Sequence, residues 1–203
     1  KNKFEIFKVF STIFISLLIF CSVIVLKNNM ESEIKNSSKS LLGGDVEISS
    51  KNVSLNLEDI EYLSKNFLVS EIVEITSIVK TSNKNKTARI KIIDNKYPIL
   101  GKENIEPPEA LEILKKKNNS ILISEDIKNN LNLKIGDELR IQEIYFKVVG
   151  IIKSLPDIGS FFIFGDYVVI HKAKLKELRI DNLRSFVNYK YKLVSKNGKI
   201  NNL

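Results

Sequence analysis

From Val9 to Leu26 the chain carries eighteen consecutive residues without a charge, and no other stretch comes near that pattern. As a helix rising about 1.5 Å per residue, the run spans roughly 27 Å, close to the hydrocarbon thickness of a bilayer. Behind it, apolar residues alternate with polar and charged ones, as in a domain folded in water. Met30, Ile34, Ser37 or Ser38, and Leu41 recur at spacings of three and four, which continues the helix beyond the apolar run. Gly43-Gly44 ends it, since glycine readily takes the conformation that a helix C-terminus requires.

The alternation then predicts a chain of short elements. Asp45 to Ser49 forms a strand. Asn56 caps a short helix built on Leu57, Ile60, Leu63 and Phe67. Val69 to Thr81 and Thr87 to Ile93 pair as a hairpin around the polar turn Ser82 to Asn85. Pro107-Pro108 opens a helix to about Lys116, and Ile121 to Ile123 is a short apolar strand. Ser124 caps a helix that stops near Asn132. Leu133 to Ser154 holds two strands led by the Gly136-Asp137 turn. Val168 to Ile170 is a strand, Lys172 to Leu178 a short helix, and Phe186 to Val194 a long strand. The predicted class is α+β: an N-terminal transmembrane helix with a helical stalk, followed by a mixed-sheet extracytoplasmic domain. The expected boundaries are 1–27 for the cytoplasmic N-terminus and membrane helix, 28–43 for the stalk, and 44–203 for the exported domain.

The flanks of the apolar run separate an anchor from an address. A cleaved signal peptide has a shorter apolar core and small residues at its cleavage site. Here Lys27-Asn28-Asn29-Met30-Glu31 follows instead, and Phe20 precedes Cys21 where a lipoprotein signal needs a small residue. Lys1, Lys3 and Lys8 precede the run, so the N-terminus is expected in the cytoplasm and everything after about residue 27 outside.

Composition changes the picture little. Thirty-two basic and 24 acidic residues give a net charge of +8, but the lysines are scattered among asparagines and carboxylates, and the exported topology argues against nucleic acid. The single cysteine falls inside the apolar run, so the exported part holds together without a disulfide. Chemistry is sparse. There is no G-x-x-x-x-G-K-[ST] loop and no G-x-G-x-x-G. His171, the only histidine, has no companion ligands, so neither a metal site nor a cofactor is expected. Glu58-Asp59, Glu125-Asp126 and Asp137-Glu138 are adjacent in sequence and point apart, unlike an acid and base facing one substrate. No catalytic residue is assigned. Phe161, Phe162 and Phe164, between Gly159 and Gly165, mark a hydrophobic contact site if exposed and core if buried.

Several segments in a fixed order resemble the start of an ABC-transporter permease of the YbbP-like branch of the FtsX/MacB-type group. They are Leu41 to Ser49 after the stalk, Ile90 to Gly101 closing the hairpin, and Ile121 to Ser124 leading through a helix to Leu133 to Glu138. Phe146 to Asp157 and the Tyr189-Lys190-Tyr191 strand complete the set. Asp166 departs from the pattern, which tends to have proline there. Such permeases continue through further exported sequence and three more membrane helices, so the resemblance implies that this chain is an N-terminal part. It also implies a mechanism. A separate cytoplasmic ATPase would move paired permeases, each with a second copy or paralogue, in the bacterial inner membrane. Their stalks would pass the motion to extracytoplasmic domains acting on lipids, lipoproteins, peptides or hydrophobic compounds. Membrane lipid is then a partner, and catalysis belongs to the ATPase. Two other function classes are open to this sequence: a single-pass anchored sensor or scaffold, and then an anchored exported hydrolase, which would need a nucleophile and base converging in the fold.

Overall fold

The computed structural model describes residues 2–157, 165–178 and 187–197, and among residues 2–42 the side chains of 7, 8, 10–30 and 42. A single helix, α1, covers Asn2–Leu42. Its stretch Phe10–Met30 is long and apolar enough to cross a membrane, and Phe10, Phe14, Leu17, Phe20 and Leu26 all project into the surroundings. Thr12, Ser16 and Ser22 return their hydroxyls to the carbonyls of Lys8, Thr12 and Leu18 at 2.8–2.9 Å. An apolar medium therefore meets no unsatisfied hydroxyl on these three residues. The amphipathic spacing expected at Ile34, Ser37, Ser38 and Leu41 falls on side chains outside those described. Residues up to Ser38 form one compact unit, and those from Lys39 onward form a second.

Among the described residues the second unit is built on nine strands: β1 (Val46–Lys51), β2 (Phe67–Lys80), β3 (Asn85–Ile93), β4 (Asn104–Glu106), β5 (Ser120–Ser124), β6 (Glu138–Ile141), β7 (Ile144–Ser154), β8 (Tyr167–His171) and β9 (Asn188–Ser195). Helices α2 (Leu57–Asn66), α3 (Ala110–Lys116) and α4 (Glu125–Leu131) lie between them. The sheet runs β1-β9-β2-β3-β8-β5-β7-β4. Strand β6 bridges its two arms, pairing with β7 along its length and with β2 at Val79 and Lys80. Strands β2, β3, β8, β5, β7 and β6 thus close a barrel, leaving β1 and β4 as flanking edges. Closure removes open edges from the middle of the sheet.

Each face of these strands has its own apolar cluster. Val73, Ile75, Ile90, Ile92, Ile121, Ile123, Leu139, Phe146, Val148, Val168 and Ile170 form the largest, joined by Ile127 and Leu131 of α4. Alternate residues on the same strands, including Ile72, Ile93, Leu122 and Val169, pack instead with Ala110, Leu111 and Leu114 of α3. Burial on both faces explains why Ser120–Ser124 has no exposed position. A third cluster sits beneath α2, where Leu63 meets Phe67, Val69, Tyr191 and Leu193. The hydroxyl of Tyr191 accepts from Leu55 N at 2.9 Å.

Caps foreseen from the sequence are in place. Asn56 accepts from Asp59 N and Ser124 from Ile127 N, while Asn132 takes a left-handed conformation after α4. Two expectations need correction. Lys172 to Leu178 is only a 3-10 turn over Lys172–Lys174 followed by turns, and the prolines at 107 and 108 precede α3, which starts at Ala110. Strand β4 had no alternation by which to be found, being three residues long.

Candidate functional site

The chain leaving α1 is fastened to the sheet by buried charges. Leu42 is the last helical residue, and its carbonyl accepts a hydrogen bond from Lys192 Nζ of β9 at 2.5 Å. A cation there satisfies an orphan carbonyl and complements the negative end of the helix dipole. The same ammonium pairs with Glu47 on β1, directly opposite in register. Gly43 follows with φ of +69°, and a Cβ on it would stand 2.9 Å from Asp157 Cβ. Gly44 lies so close to β9 that an added Cβ would meet Leu193 O at 3.1 Å. Glycine is favoured at 43 by backbone angle and at 44 by close approach, since a side chain there would push β9 back. Asp45 then donates its N–H to Leu193 O at 2.8 Å and accepts from Ser195 N at 3.0 Å.

Asp157, three residues beyond the end of β7, lies against Gly43 and gathers a buried charge group of its own. Lys91 Nζ of β3 donates to its Oδ2, and Tyr97 OH donates to its Oδ1 at 2.6 Å. The Lys91 and Asp157 side chains are 5% and 2% exposed, so the pair is shielded from water. Lys91 also lies over the Tyr97 ring, 4.7 Å from its centre. Burial opposes the charge on Asp157, but Lys91, the Tyr97 hydroxyl and Lys192 hold its carboxyl below the ordinary carboxylate range. Burial pulls the Lys91 ammonium down, with Asp157 and Glu74 opposing. It also pushes the Tyr97 phenol well up, helped by the neighbouring carboxylate, so Tyr97 stays a donor. Next to this group, Lys190 pairs with Glu74 at 2.7 Å.

Tyr97 is set by a second carboxylate. Asp94 Oδ1 accepts from Ser70 Oγ at 2.6 Å and from the N–H groups of Lys96 and Tyr97 at 3.1 Å, while Oδ2 takes Glu71 N at 3.0 Å. His171 is part of this scaffold. Its Nε2 contacts Asn95 Oδ1 at 3.0 Å, and Nδ1 accepts from Ala173 N at 3.3 Å, which caps the 3-10 turn. Burial depresses its pKa.

The acidic pairs are likewise structural. Glu58 and Asp59 open α2. Asp126 accepts Gly165 N at 2.6 Å, Glu125 pairs with Lys153, and Asp137 accepts Lys134 N at 2.7 Å. Among the described residues no group of three histidine, cysteine or carboxylate side chains could hold a metal. Phe161, Phe162 and Phe164 lie outside the described residues. Sequence reasoning did not single out Lys91, Tyr97, Asp157 or Lys192. The available signal was the double glycine, which marks where a helix must meet something closely.

One N-terminal apolar helix followed by a mixed-sheet domain with short helices is the fold of a MacB-type periplasmic domain. Residues 9–195 match the MacB-like periplasmic core domain, and the chain belongs to that family. Two solved structures share its fold, each with a TM-score of 0.50. One is the extracellular domain of the noncanonic ABC-type transporter YknZ from Gram-positive bacteria, 14% identical over 71% of this chain and 75% of that one. The other is the periplasmic region of MacB from Actinobacillus actinomycetemcomitans, 15% identical over 70% of this chain and 66% of that one. No curated protein matches the sequence at comparable significance.

Proposed function

We propose that this chain belongs to a permease subunit that couples ATP hydrolysis by a separate ATPase to extracytoplasmic movement or export of a hydrophobic substrate, a lipid or a lipoprotein. In this reading residues 1–27 hold the subunit in the bacterial inner membrane with the N-terminus inside. Residues 28–43 are the stalk, and 44–203 form the extracytoplasmic domain. The observation that carries it is the joint. One uninterrupted helix includes the apolar span and ends on a carbonyl held by Lys192. A displacement of that end must carry Lys192 and β9 with it or break the hydrogen bond from a buried ammonium. A hydrogen bond to a charged group contributes about 1.5–3 kcal/mol, so following the helix is the cheaper response. The permease pairs with a second copy or a paralogue, and lipid surrounds the apolar span.

The test uses the full reading frame, reconstituted in nanodiscs with a P-loop ATPase encoded beside it. The reading predicts that the two copurify and that ATP turnover rises on assembly. It predicts further that Lys192→Gln weakens stimulation by substrate without dissociating the ATPase. A protein that binds no ATPase, and continues after one more helix into a cytoplasmic signalling module, would instead be a sensor.

A further inference from the structure

At the far end of β2 the charges are arranged differently. Six residues beyond Glu74, about 20 Å along the strand, Lys80 stands directly opposite Arg140 of β6, and Arg140 stands opposite Tyr145 of β7. The three therefore share one face across adjacent strands. Like charges opposite one another destabilise an antiparallel pair, and nothing in the barrel's closure needs two cations there. Lys84 of the β2–β3 turn adds a third. Its ammonium is held by Asn130 O at 3.1 Å, with the Asn132 side-chain oxygen also 3.1 Å away once that amide is oriented to accept. Arg140 lies 5.9 Å from the Tyr145 ring centre. Its one carboxylate partner among the described residues, Glu143, is 3.8 Å away and 93% exposed.

These residues line a groove of about 720 Å³, together with Thr81, Ser82, Asn83, Asn132, Asp137 and Glu138. That size suits a small ligand. Two carboxylates also line it, Asp137, which accepts the Lys134 N–H, and Glu138, which stands opposite Lys147 in register, so the three cations leave a net positive charge. Among the described residues no carboxylate lies in ion-pair range of Lys80 or Lys84. Three cations from separate elements, beside hydroxyl and amide donors, suit an anion with several oxygens on one centre.

We propose that this groove is a binding site for a phosphate group, carried either on a lipid headgroup or on a soluble molecule. Binding relieves the Lys80–Arg140 opposition, so occupancy stabilises β6 against β2. The inference stands apart from the permease reading, because it rests on none of the joint residues.

The test uses the full chain in nanodiscs of zwitterionic lipid. Inorganic phosphate should slow hydrogen exchange at 80–84 and 138–145 at least threefold, while chloride at matched ionic strength should not. In calorimetry, Lys80→Gln/Arg140→Gln should weaken phosphate binding at least tenfold, with an unchanged circular dichroism spectrum. Lys84→Gln, which leaves the strand pairing intact, should weaken it several-fold. Vesicles containing phosphatidylglycerol then separate the sources. Protection of 80–84 by these vesicles, and not by phosphatidylcholine vesicles, assigns a lipid headgroup. Protection by inorganic phosphate alone assigns a soluble ligand. The proposal is overturned if neither probe protects the groove, or if the double variant binds phosphate as tightly as the parent.

Discussion

The two ends of strand β2 use the same residue types for opposite ends. Beside its first half, Lys91, Lys190 and Lys192 each have a matched carboxylate, in Asp157, Glu74 and Glu47. At its last residue Lys80 faces another cation. A lysine surrounded by matched partners is a fastening, expensive to disturb and tied to its neighbours. A lysine set against a like charge in an open groove gains from a partner brought from outside. The difference teaches that charge counts along this chain say little, whereas cross-strand register says a great deal.

The sharpest way to break the comparison is Asp157→Ala. It leaves Lys91 buried without its carboxylate and Tyr97 without its acceptor, and should cost about 3–5 kcal/mol. For a domain of this size the melting temperature should fall by about 6–20 °C, read by thermal unfolding of the full chain. A loss near zero would place the joint among ordinary surface pairs. Replacing both partners, as Lys91→Met with Asp157→Leu, should cost less than Asp157→Ala, because apolar isosteres carry no unpaired charge.

Next in size is Gly43→Ala. A left-handed backbone costs about 1–2 kcal/mol outside glycine, and the new methyl would overlap Asp157 Cβ, so urea unfolding should show at least that loss. Acid titration sharpens the same point. The folded Asp157 carboxyl lies below its unfolded value. Its stabilisation is therefore complete above the ordinary carboxylate pKa of about 4 and is lost as pH falls through the lowered folded value. The slope of stability against pH below about 4 should shrink in Asp157→Asn. The smallest effect belongs to the groove. Lys80→Gln should stabilise the protein by a few tenths of a kcal/mol at low salt, the reverse of any substitution at the joint, and the gain should vanish at high salt.

Much of this architecture is written in the alternation of residues. The hairpin of β2 and β3, the Asn56 and Ser124 caps and the glycine stop after α1 follow from local rules that one segment satisfies by itself. Barrel closure does not, because β6 touches β2 at two residues only, and no local pattern encodes a contact between positions sixty apart. Lys91 shows why the joint stayed hidden. In the alternating stretch Ile90-Lys91-Ile92 it occupies the polar position, which in isolation means solvent. Only folding brings Asp157 and Tyr97 over that face and turns a surface residue into a buried one. Register likewise sets Lys80 against Arg140, a pairing that spacing alone cannot show.

The central claim is that buried charge fastens the end of the helix to the sheet. It is tested most directly by hydrogen exchange on the full chain carrying Lys192→Gln, with amides of Gly43 to Val46 as the readout and those of Ile121 to Ile123 as the internal reference. Faster exchange by at least tenfold at 43–46, with β5 unchanged, is the result the fastening requires. Unchanged protection at 43–46 would contradict it.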